Sequence, residues 1–195
     1  MLEVLIWAGA LLIAVTIHEF AHAFIADKLG DPTPGMQGRI SLNPLRHLDP
    51  IGTLMLILFR FGWGKPVQFD PFNLRHPKRD SALIALAGPA SNLILATLLS
   101  LTIRLIPGSL LAVLAVPLIL MNINLAIFNF LPVPPLDGAK VLYGILPMEW
   151  AEEYNHFMKD YGMILLILLI IPIGGISIAI NLILPVISWL SGLLL

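Results

Sequence analysis

Two histidines and a glutamate near the start of the chain form a pattern that can bind a metal ion. In His18-Glu19-Phe20-Ala21-His22 the two imidazoles are four residues apart, and on an α-helix such residues lie on one face, one turn apart. Both rings can therefore reach the same ion, with Glu19 beside them. A zinc ion lowers the pKa of a bound water to about 7, and a neighbouring carboxylate can take the released proton. The pattern predicts metal-assisted hydrolysis.

The residues around this motif favour metal binding over a chance pattern. Residues 4–26 contain no charged residue except Glu19 and are long enough to span a membrane. An ionisable residue in the middle of such a span costs about 2.5–3.5 kcal/mol on insertion scales. Two histidines and a glutamate so close together need a compensating partner, and a metal ion supplies one.

A third metal ligand must come from elsewhere in the chain, because a catalytic zinc usually keeps three protein ligands and one open position. Asp137 is better placed than the other candidates. It follows the proline-rich stretch 132–135, which ends an apolar block and redirects the chain, and Gly138 permits a tight turn. Its alternative role is a helix cap. For the remaining histidines we expect surface or structural roles: His47, His76 and His156.

The composition is that of an integral membrane protein. Of the 195 residues, 58% are hydrophobic and only 12% are charged, about half the share in ordinary globular domains. The 11 Lys and Arg residues against 12 Asp and Glu leave no basic excess, so a nucleic acid partner is not expected. The absence of cysteine excludes a disulfide framework, an iron–sulfur site and a Cys-ligated zinc site.

Four apolar blocks predict the membrane spans. Because a span needs roughly 20 apolar residues, the first three blocks predict one helix each, over about 3–28, 81–105 and 110–131. The fourth block, 161–195, is too long for one upright span. We interpret it as two short or kinked helices, over about 161–173 and 176–194, because helix-breaking residues interrupt it: Pro172, Gly174, Gly175 and Pro185.

The segment 30–80 predicts a small β-hairpin or re-entrant element at the membrane. Residues 39–42 alternate polar and apolar side chains like a short strand, and 65–69 predict a second strand. The apolar stretch 50–59 is too short to span and predicts a re-entrant piece. Residues 62–64 predict a turn.

The predicted fold class is an all-α multi-pass membrane protein with five or six transmembrane helices in a single domain, 1–195. Ahead of the fourth apolar block we expect an amphipathic helix over about 147–160, lying on the membrane surface. Its apolar stripe recurs at helical spacing: Trp150, Tyr154, Phe157, Met158 and Tyr161.

The distribution of basic residues predicts the orientation in the membrane. Eight of the eleven Lys and Arg residues lie within 28–80, whereas Arg104 is the only one in the short connection 104–109. By the positive-inside rule, 28–80 and 132–160 should face the cytoplasm. The N-terminus would then lie outside, and the metal motif would lie towards the cytoplasmic half of the first span.

Three separated motifs, in the same order along the chain, resemble the site-2 protease family of intramembrane zinc metalloproteases. They are HEFAH at 18–22, Gly88-Pro-Ala-Ser-Asn92, and Asn129-x-x-Pro-x-Pro-x-Leu-Asp137-Gly138. The stretch 38–53, from Gly-Arg-Ile-Ser-Leu-Asn-Pro to His-Leu-Asp-Pro-Ile-Gly-Thr, resembles the family as well. The resemblance covers most of 14–145 and is greatest to short prokaryotic members that lack an appended PDZ or CBS domain.

This resemblance implies roles for individual residues. His18, His22 and Asp137 would bind one zinc ion per chain, and Glu19 would be the general base. Asn92 and Asn129 would lie near the active site, where an amide N–H can orient the substrate or stabilise the oxyanion. For both asparagines, interhelical packing remains an alternative.

The resemblance also implies the reaction and its location. The expected activity is hydrolysis of peptide bonds in or near the transmembrane segments of membrane proteins, in a prokaryotic plasma membrane. The expected partners are a transmembrane substrate and the lipid bilayer, and the oligomeric state stays open. A membrane zinc transporter is the alternative, but the second and fourth apolar blocks offer few metal-binding groups for an ion path. A catalytically inactive scaffold would not need Glu19.

Overall fold

The computed structural model describes residues 2–52, 55, 64–173 and 175–195, and these are mostly helical. The α-helices whose bounds lie in these residues are α1 (Leu2–Lys28), α2 (Thr33–Met36), α3 (Pro77–Leu105), α4 (Leu110–Asn129), α5 (Asp137–Ile145), α6 (Met148–Ile170) and α7 (Ile178–Leu194), and short 3₁₀ helices lie at Pro44–Arg46 and Pro71–Asn73. Two short antiparallel strands, β1 (Pro172–Ile173) and β2 (Ile176–Ser177), pair between α6 and α7.

Within the described residues, three helices are long and apolar enough to cross a membrane. They are α1, α3 and α4. They coincide with the first three predicted spans to within a few residues. Helix α7 is apolar but has only 17 residues. The structure therefore supports a helical membrane protein with three membrane-length helices, a coarser result than the predicted five or six spans.

Local sequence explains where these helices begin. Proline occupies the first position of α3, where its missing N–H costs no helical hydrogen bond. The Ser109 hydroxyl caps α4 by accepting from the Ala112 N–H, and Ser177 caps α7 in the same way. Helix α3 is central, because it packs against α1, α4, α5 and α7. Small buried residues of α1 such as Ala14 and Ala23 let the neighbouring backbones approach closely.

The region after α5 differs from the prediction of an amphipathic helix over 147–160 followed by a separate span over 161–173. Helix α6 runs without interruption from Met148 to Ile170 and includes most of both segments. Near residue 161 the side chains of the helix change from mixed polar and apolar to almost entirely apolar. The backbone hydrogen bonds of the helix continue through this point. Gly162 stays helical and packs against Pro134. The break predicted from Pro172 and Gly175 does occur, as the β1–β2 hairpin, whereas Pro185 lies inside α7 and does not end it.

The strands predicted at 39–42 and 65–69 are wrong: neither segment forms a strand in the part of the chain that the structure describes. An isolated bridge between Leu48 and Gly64 is the pairing observed there. The physical reason is Arg39, whose buried guanidinium donates to the carbonyls of Arg46 and Lys65 and so joins the segments through a side chain. The predicted re-entrant piece 50–59 and the turn 62–64 lie largely outside the described residues.

Candidate metal centre

Three side chains that can bind a metal meet where α1 passes the start of α5. Nε2 of His18 lies 3.0 Å from Oδ2 of Asp137, and Nε2 of His22 lies 3.2 Å from the same oxygen. The ligand atoms of the three residues all lie within 4.8 Å of one another. The histidines are one helical turn apart on α1, as their spacing predicts, and both are buried. Two imidazoles and a carboxylate are a common ligand set for zinc.

Asp137 reaches the histidines because α5 begins very close to the end of α4. A Cβ atom on Gly138 would lie only 2.2 Å from the carbonyl oxygen of Phe130, so a larger residue would push the two segments apart. The turn that the prolines and this glycine create therefore brings Asp137 onto the histidine face of α1. The structure brings the first and third sequence motifs together.

The Nδ1 atoms of both imidazoles form hydrogen bonds with oxygen acceptors. Nδ1 of His22 lies 2.7 Å from the carbonyl oxygen of Ile84, and Nδ1 of His18 lies 2.6 Å from Oδ1 of Asn92. Since these oxygens can only accept, each Nδ1 carries a proton, and each Nε2 is left as the nitrogen that can bind a metal once it is deprotonated. Two Nε2 atoms and a carboxylate oxygen thus converge, and a cation can bridge them. The donor set fits a metal ion.

Helix α3 leaves room for the two imidazoles at one glycine. A Cβ atom built on Gly88 would lie 2.4 Å from Nε2 of His22 and 2.7 Å from Cε1 of His18. Such distances are shorter than van der Waals contact, so only glycine permits this packing of α3 against the histidines. The glycine of the second sequence motif thus contributes space to the site.

Glu19 lies on the cavity side of the histidines and is held by the polypeptide segment that precedes α3. Its Oε2 accepts a hydrogen bond of 2.9 Å from the backbone N–H of Val67. The guanidinium of Arg39 lies 3.8 Å from the same oxygen. The carboxylate is therefore fixed beside the metal ligands, where it can exchange a proton with a water molecule.

The metal-binding group opens into a mostly apolar cavity of about 450 Å³. Its polar lining includes Glu19, Asn129 and Asp137, and segment 64–69 forms part of the wall. Asn129 donates one amide N–H to the carbonyl of Leu125, one turn back on α4. A cavity of this size can take a few residues of extended polypeptide beside the histidines.

Asn92 is placed differently from the expectation of an oxyanion or substrate-orienting role. It is fully buried behind His18 and does not line the cavity. Its Nδ2 donates both N–H groups, at 2.9 Å to the carbonyl of Ala14 and at 2.7 Å to Oδ1 of Asn122. No amide N–H remains for a substrate, and the structure makes Asn92 a hydrogen-bond partner of His18.

The other histidines lie apart from this group. His47 is buried with Nε2 at 2.7 Å from the carbonyl oxygen of Ser41, and His156 is exposed near Asp160. His76 precedes α3 and its backbone N–H donates to Asp80. These positions agree with surface and structural roles.

Two residues near the site were not singled out from the sequence. Asn122 contacts Asn92, and Arg39 joins segment 65–69 to the rest of the site. The available signal for Asn122 was an amide in a largely apolar helix, seven residues before Asn129 and so on the same face. For Arg39 it was a charged residue in the short alternation of polar and apolar side chains at 39–42.

Comparisons with known proteins identify the family to which this chain is similar. A family model described as peptidase family M50 matches residues 106–173. The chain is 36% identical over 176 residues to "Putative zinc metalloprotease YwhC" of Bacillus subtilis, which covers 85% of this chain and 80% of that protein. It is 32% identical over 180 residues to "Putative zinc metalloprotease Rip2" of Mycolicibacterium smegmatis, covering 86% of this chain and 67% of that protein. No solved structure matches the chain.

Proposed function

Because the chain belongs to the site-2 protease family, peptidase family M50, and is a zinc metalloprotease, we propose that it hydrolyses peptide bonds in or next to the transmembrane segments of other membrane proteins. The observation that carries this proposal is the position of the metal-binding group. His18 and His22 lie in the C-terminal half of a membrane-length helix, and Asp137 reaches them from the start of α5, the short helix that follows α4.

His18, His22 and Asp137 would hold one zinc ion through two Nε2 atoms and a carboxylate oxygen. When bound, zinc supplies a Lewis acid that polarises the scissile carbonyl and makes a water molecule more acidic. The protein orients the two imidazoles through oxygens that accept from their Nδ1 atoms, so that each Nε2 would be available to the ion.

Glu19 would act as the general base that takes a proton from the attacking water and returns it to the leaving amine. Its fixed position beside the histidines supports this role, since a base must lie within hydrogen-bond reach of the proton that it removes. Asn129 lines the same cavity and has a second amide N–H, which would donate to the carbonyl oxygen of the substrate.

A helical substrate must unwind before cleavage, because a helix hydrogen-bonds its own carbonyls. Segment 65–69 lies in the cavity wall and forms no strand pairing within the described residues. We expect it to bind an extended stretch of substrate through its backbone. The substrate would then be a single-pass protein with helix-breaking residues near one end of its span.

The proposed orientation follows from the positive-inside rule. With the N-terminus outside, the basic segment 28–80 and the segment 132–160 face the cytoplasm. His18, His22 and Asp137 would then lie towards the cytoplasmic side of the plasma membrane of a prokaryotic cell, and water would reach them from that side.

Cleavage in reconstituted liposomes tests this proposal. The purified chain is mixed with a single-pass substrate that contains Gly and Pro near the end of its span, and the fragments are measured by mass spectrometry. We expect cuts within or beside the span, and a loss of at least about a hundredfold in Glu19→Gln. Glu3→Gln, the same change at an exposed site on the same helix, should cleave normally.

The same liposomes distinguish the transporter alternative. A zinc-sensitive dye inside them would report zinc entry that depends on His18 and His22. Zinc flux without cleavage of any membrane substrate would contradict the proposed function, as would full cleavage activity in Glu19→Gln.

A further inference from the structure

We propose that Asn122 is a positioning residue for zinc binding, which acts through Asn92 to fix the proton of His18 on Nδ1 and so leaves Nε2 free to bind the ion. This inference concerns the same site as the proposed function and rests on it for the identity of the ion. The chain of contacts runs through three helices: Asn122 on α4, Asn92 on α3 and His18 on α1.

The first step is the orientation of the Asn122 amide. Its Nδ2 lies 2.8 Å from the carbonyl oxygen of Leu118 on its own helix. A backbone carbonyl can only accept a hydrogen bond, so the nitrogen of the amide must face it. Oδ1 of Asn122 therefore faces the other way, towards Asn92.

The second step is the orientation of the Asn92 amide. Its two nearest partners on one side are Oδ1 of Asn122 at 2.7 Å and the carbonyl oxygen of Ala14 at 2.9 Å. Both are acceptors, and together they require the two N–H groups of Nδ2. A flipped amide would place its oxygen against two other oxygens. Oδ1 of Asn92 is therefore directed at His18.

The third step is the tautomer of His18. Because Oδ1 of Asn92 can only accept, Nδ1 of His18 must donate across their 2.6 Å contact. Nε2, 3.0 Å from the Asp137 carboxylate, is then the nitrogen left for the ion, which would displace any proton that Nε2 shares with this carboxylate. If the Asn92 amide were reversed, its NH₂ group would favour the opposite tautomer, whose Nε2 cannot bind a metal.

The two histidines thus differ in how they are fixed. Nδ1 of His22 meets the carbonyl of Ile84 directly, so the backbone alone determines its tautomer. The tautomer of His18 depends on the side-chain amides of Asn92 and Asn122, which are both fully buried. The carbonyl groups of Ala14 and Leu118 set the orientation of these amides. Changes at Asn122 should therefore affect His18 and leave His22 unchanged.

The test is the tautomer of each histidine in zinc-free protein labelled with ¹⁵N-histidine, measured by NMR above pH 8 together with zinc affinity. In the wild type both His18 and His22 should carry the proton on Nδ1. Asn122→Leu removes the acceptor that orients the Asn92 amide, so His18 should populate both tautomers. Zinc affinity should then fall about fivefold, which corresponds to the loss of one ordinary hydrogen bond. Asn92→Leu should lower the zinc affinity about ten- to hundredfold.

Two further variants separate positioning from packing. In Asn122→Asp the buried carboxyl group stays protonated, so it can donate to Leu118 and accept from Asn92. We expect it to restore the His18 tautomer and the zinc affinity. Asn124→Leu, which removes an exposed asparagine with only a bond to its own helix, should change neither.

Three outcomes of these measurements would contradict a positioning role for Asn122. A wild-type His18 tautomer and unchanged zinc affinity in Asn122→Leu would overturn the inference. So would an equal disturbance of His18 and His22, or a failure of Asn122→Asp to restore what the leucine variant loses, because these indicate a packing role. The tautomer measurement requires no proteolysis, so it remains decisive even where cleavage of a membrane substrate is not observed.

Discussion

The backbone N–H of Val67 donates a hydrogen bond of 2.9 Å to Oε2 of Glu19, across 48 residues of sequence. This bond links the proposed general base on α1 to the segment that forms one wall of the cavity. Arg39 strengthens the link, because its guanidinium donates to the carbonyl of Lys65 and lies 3.8 Å from the same Glu19 oxygen. The base and the expected substrate-binding segment are therefore held as one unit.

Val67→Pro removes this donor while keeping an apolar side chain. Since a hydrogen bond to a charged group contributes about 1.5–3 kcal/mol, we expect cleavage of a membrane substrate to fall about ten- to hundredfold, with zinc content unchanged. Val67→Ala keeps the N–H and is the matched control. Equal cleavage rates in the proline and alanine variants would show that the bond does not position Glu19.

Gly88→Ala tests the close approach of α3 to the histidines. The added methyl group would lie 2.4 Å from Nε2 of His22, so the imidazoles or the helix must move. We expect zinc binding to be lost or weakened at least about tenfold, in line with disturbed ligand geometry, although alanine favours helix formation more than glycine. Gly9→Ala on α1, with no atom within 4 Å of the added group, should bind zinc normally.

Asp31→Asn tests how the end of α1 is joined to the segment before α3. The buried Asp31 carboxylate accepts from the N–H and hydroxyl of Thr33, from Nδ2 of Asn73 and from the N–H of Asp70. Burial alone would raise its pKa, but these hydrogen bonds outweigh burial and lower the pKa below its ordinary value. We expect the variant to lose about 2–3 kcal/mol of unfolding free energy at neutral pH.

The pH dependence of that loss follows from the direction of the shift. A carboxyl group with a lowered folded-state pKa stabilises the fold fully above its unfolded pKa of about 3.9, and this contribution disappears as the pH falls further. The difference in thermal unfolding between wild type and Asp31→Asn should therefore be constant from pH 7 to about 5 and shrink below about pH 4. Asp27→Asn, an exposed site on α1, should follow the wild type. A difference that grows in acid would contradict this explanation.

The parts of the site that local sequence determines could be predicted. The spacing of His18 and His22 requires only that α1 be helical, and the apolar residues around them favour a helix of membrane length. Asp137 could be predicted because prolines and a glycine end the preceding apolar block where the chain must turn. Each of these signals lies within a few residues of the feature that it predicts.

The segment between α1 and α3 could not be predicted in the same way. The alternation of polar and apolar residues in 39–42 is typical of a strand. Arg39 is buried, however, and its guanidinium donates hydrogen bonds to the carbonyl oxygens of Arg46 and Lys65. The tertiary fold determines which carbonyl oxygens accept hydrogen bonds from a buried arginine. A short alternation of residue types therefore cannot distinguish a strand from a segment held by such an arginine.

The buried asparagines show a similar limit. The sequence placed Asn92 near the site, but the direction of its amide depends on Ala14 and Asn122, which belong to other helices. An asparagine in an apolar helix gives the same local pattern whether it orients a ligand, contacts a substrate or joins two helices. Only the positions of its partners distinguish these roles.

The central claim is that α1 and the start of α5 together form one zinc site, and zinc content per chain tests it most directly. Purified wild type, His22→Ala and Asp137→Ala are compared with His156→Ala, a histidine that is exposed and remote from the site. We predict about one zinc ion per chain in the wild type and in His156→Ala, and lost or strongly weakened binding in the other two, because each removes one of three protein ligands. If Asp137→Ala bound zinc with unchanged affinity, the third ligand would lie elsewhere and the proposed site would be wrong.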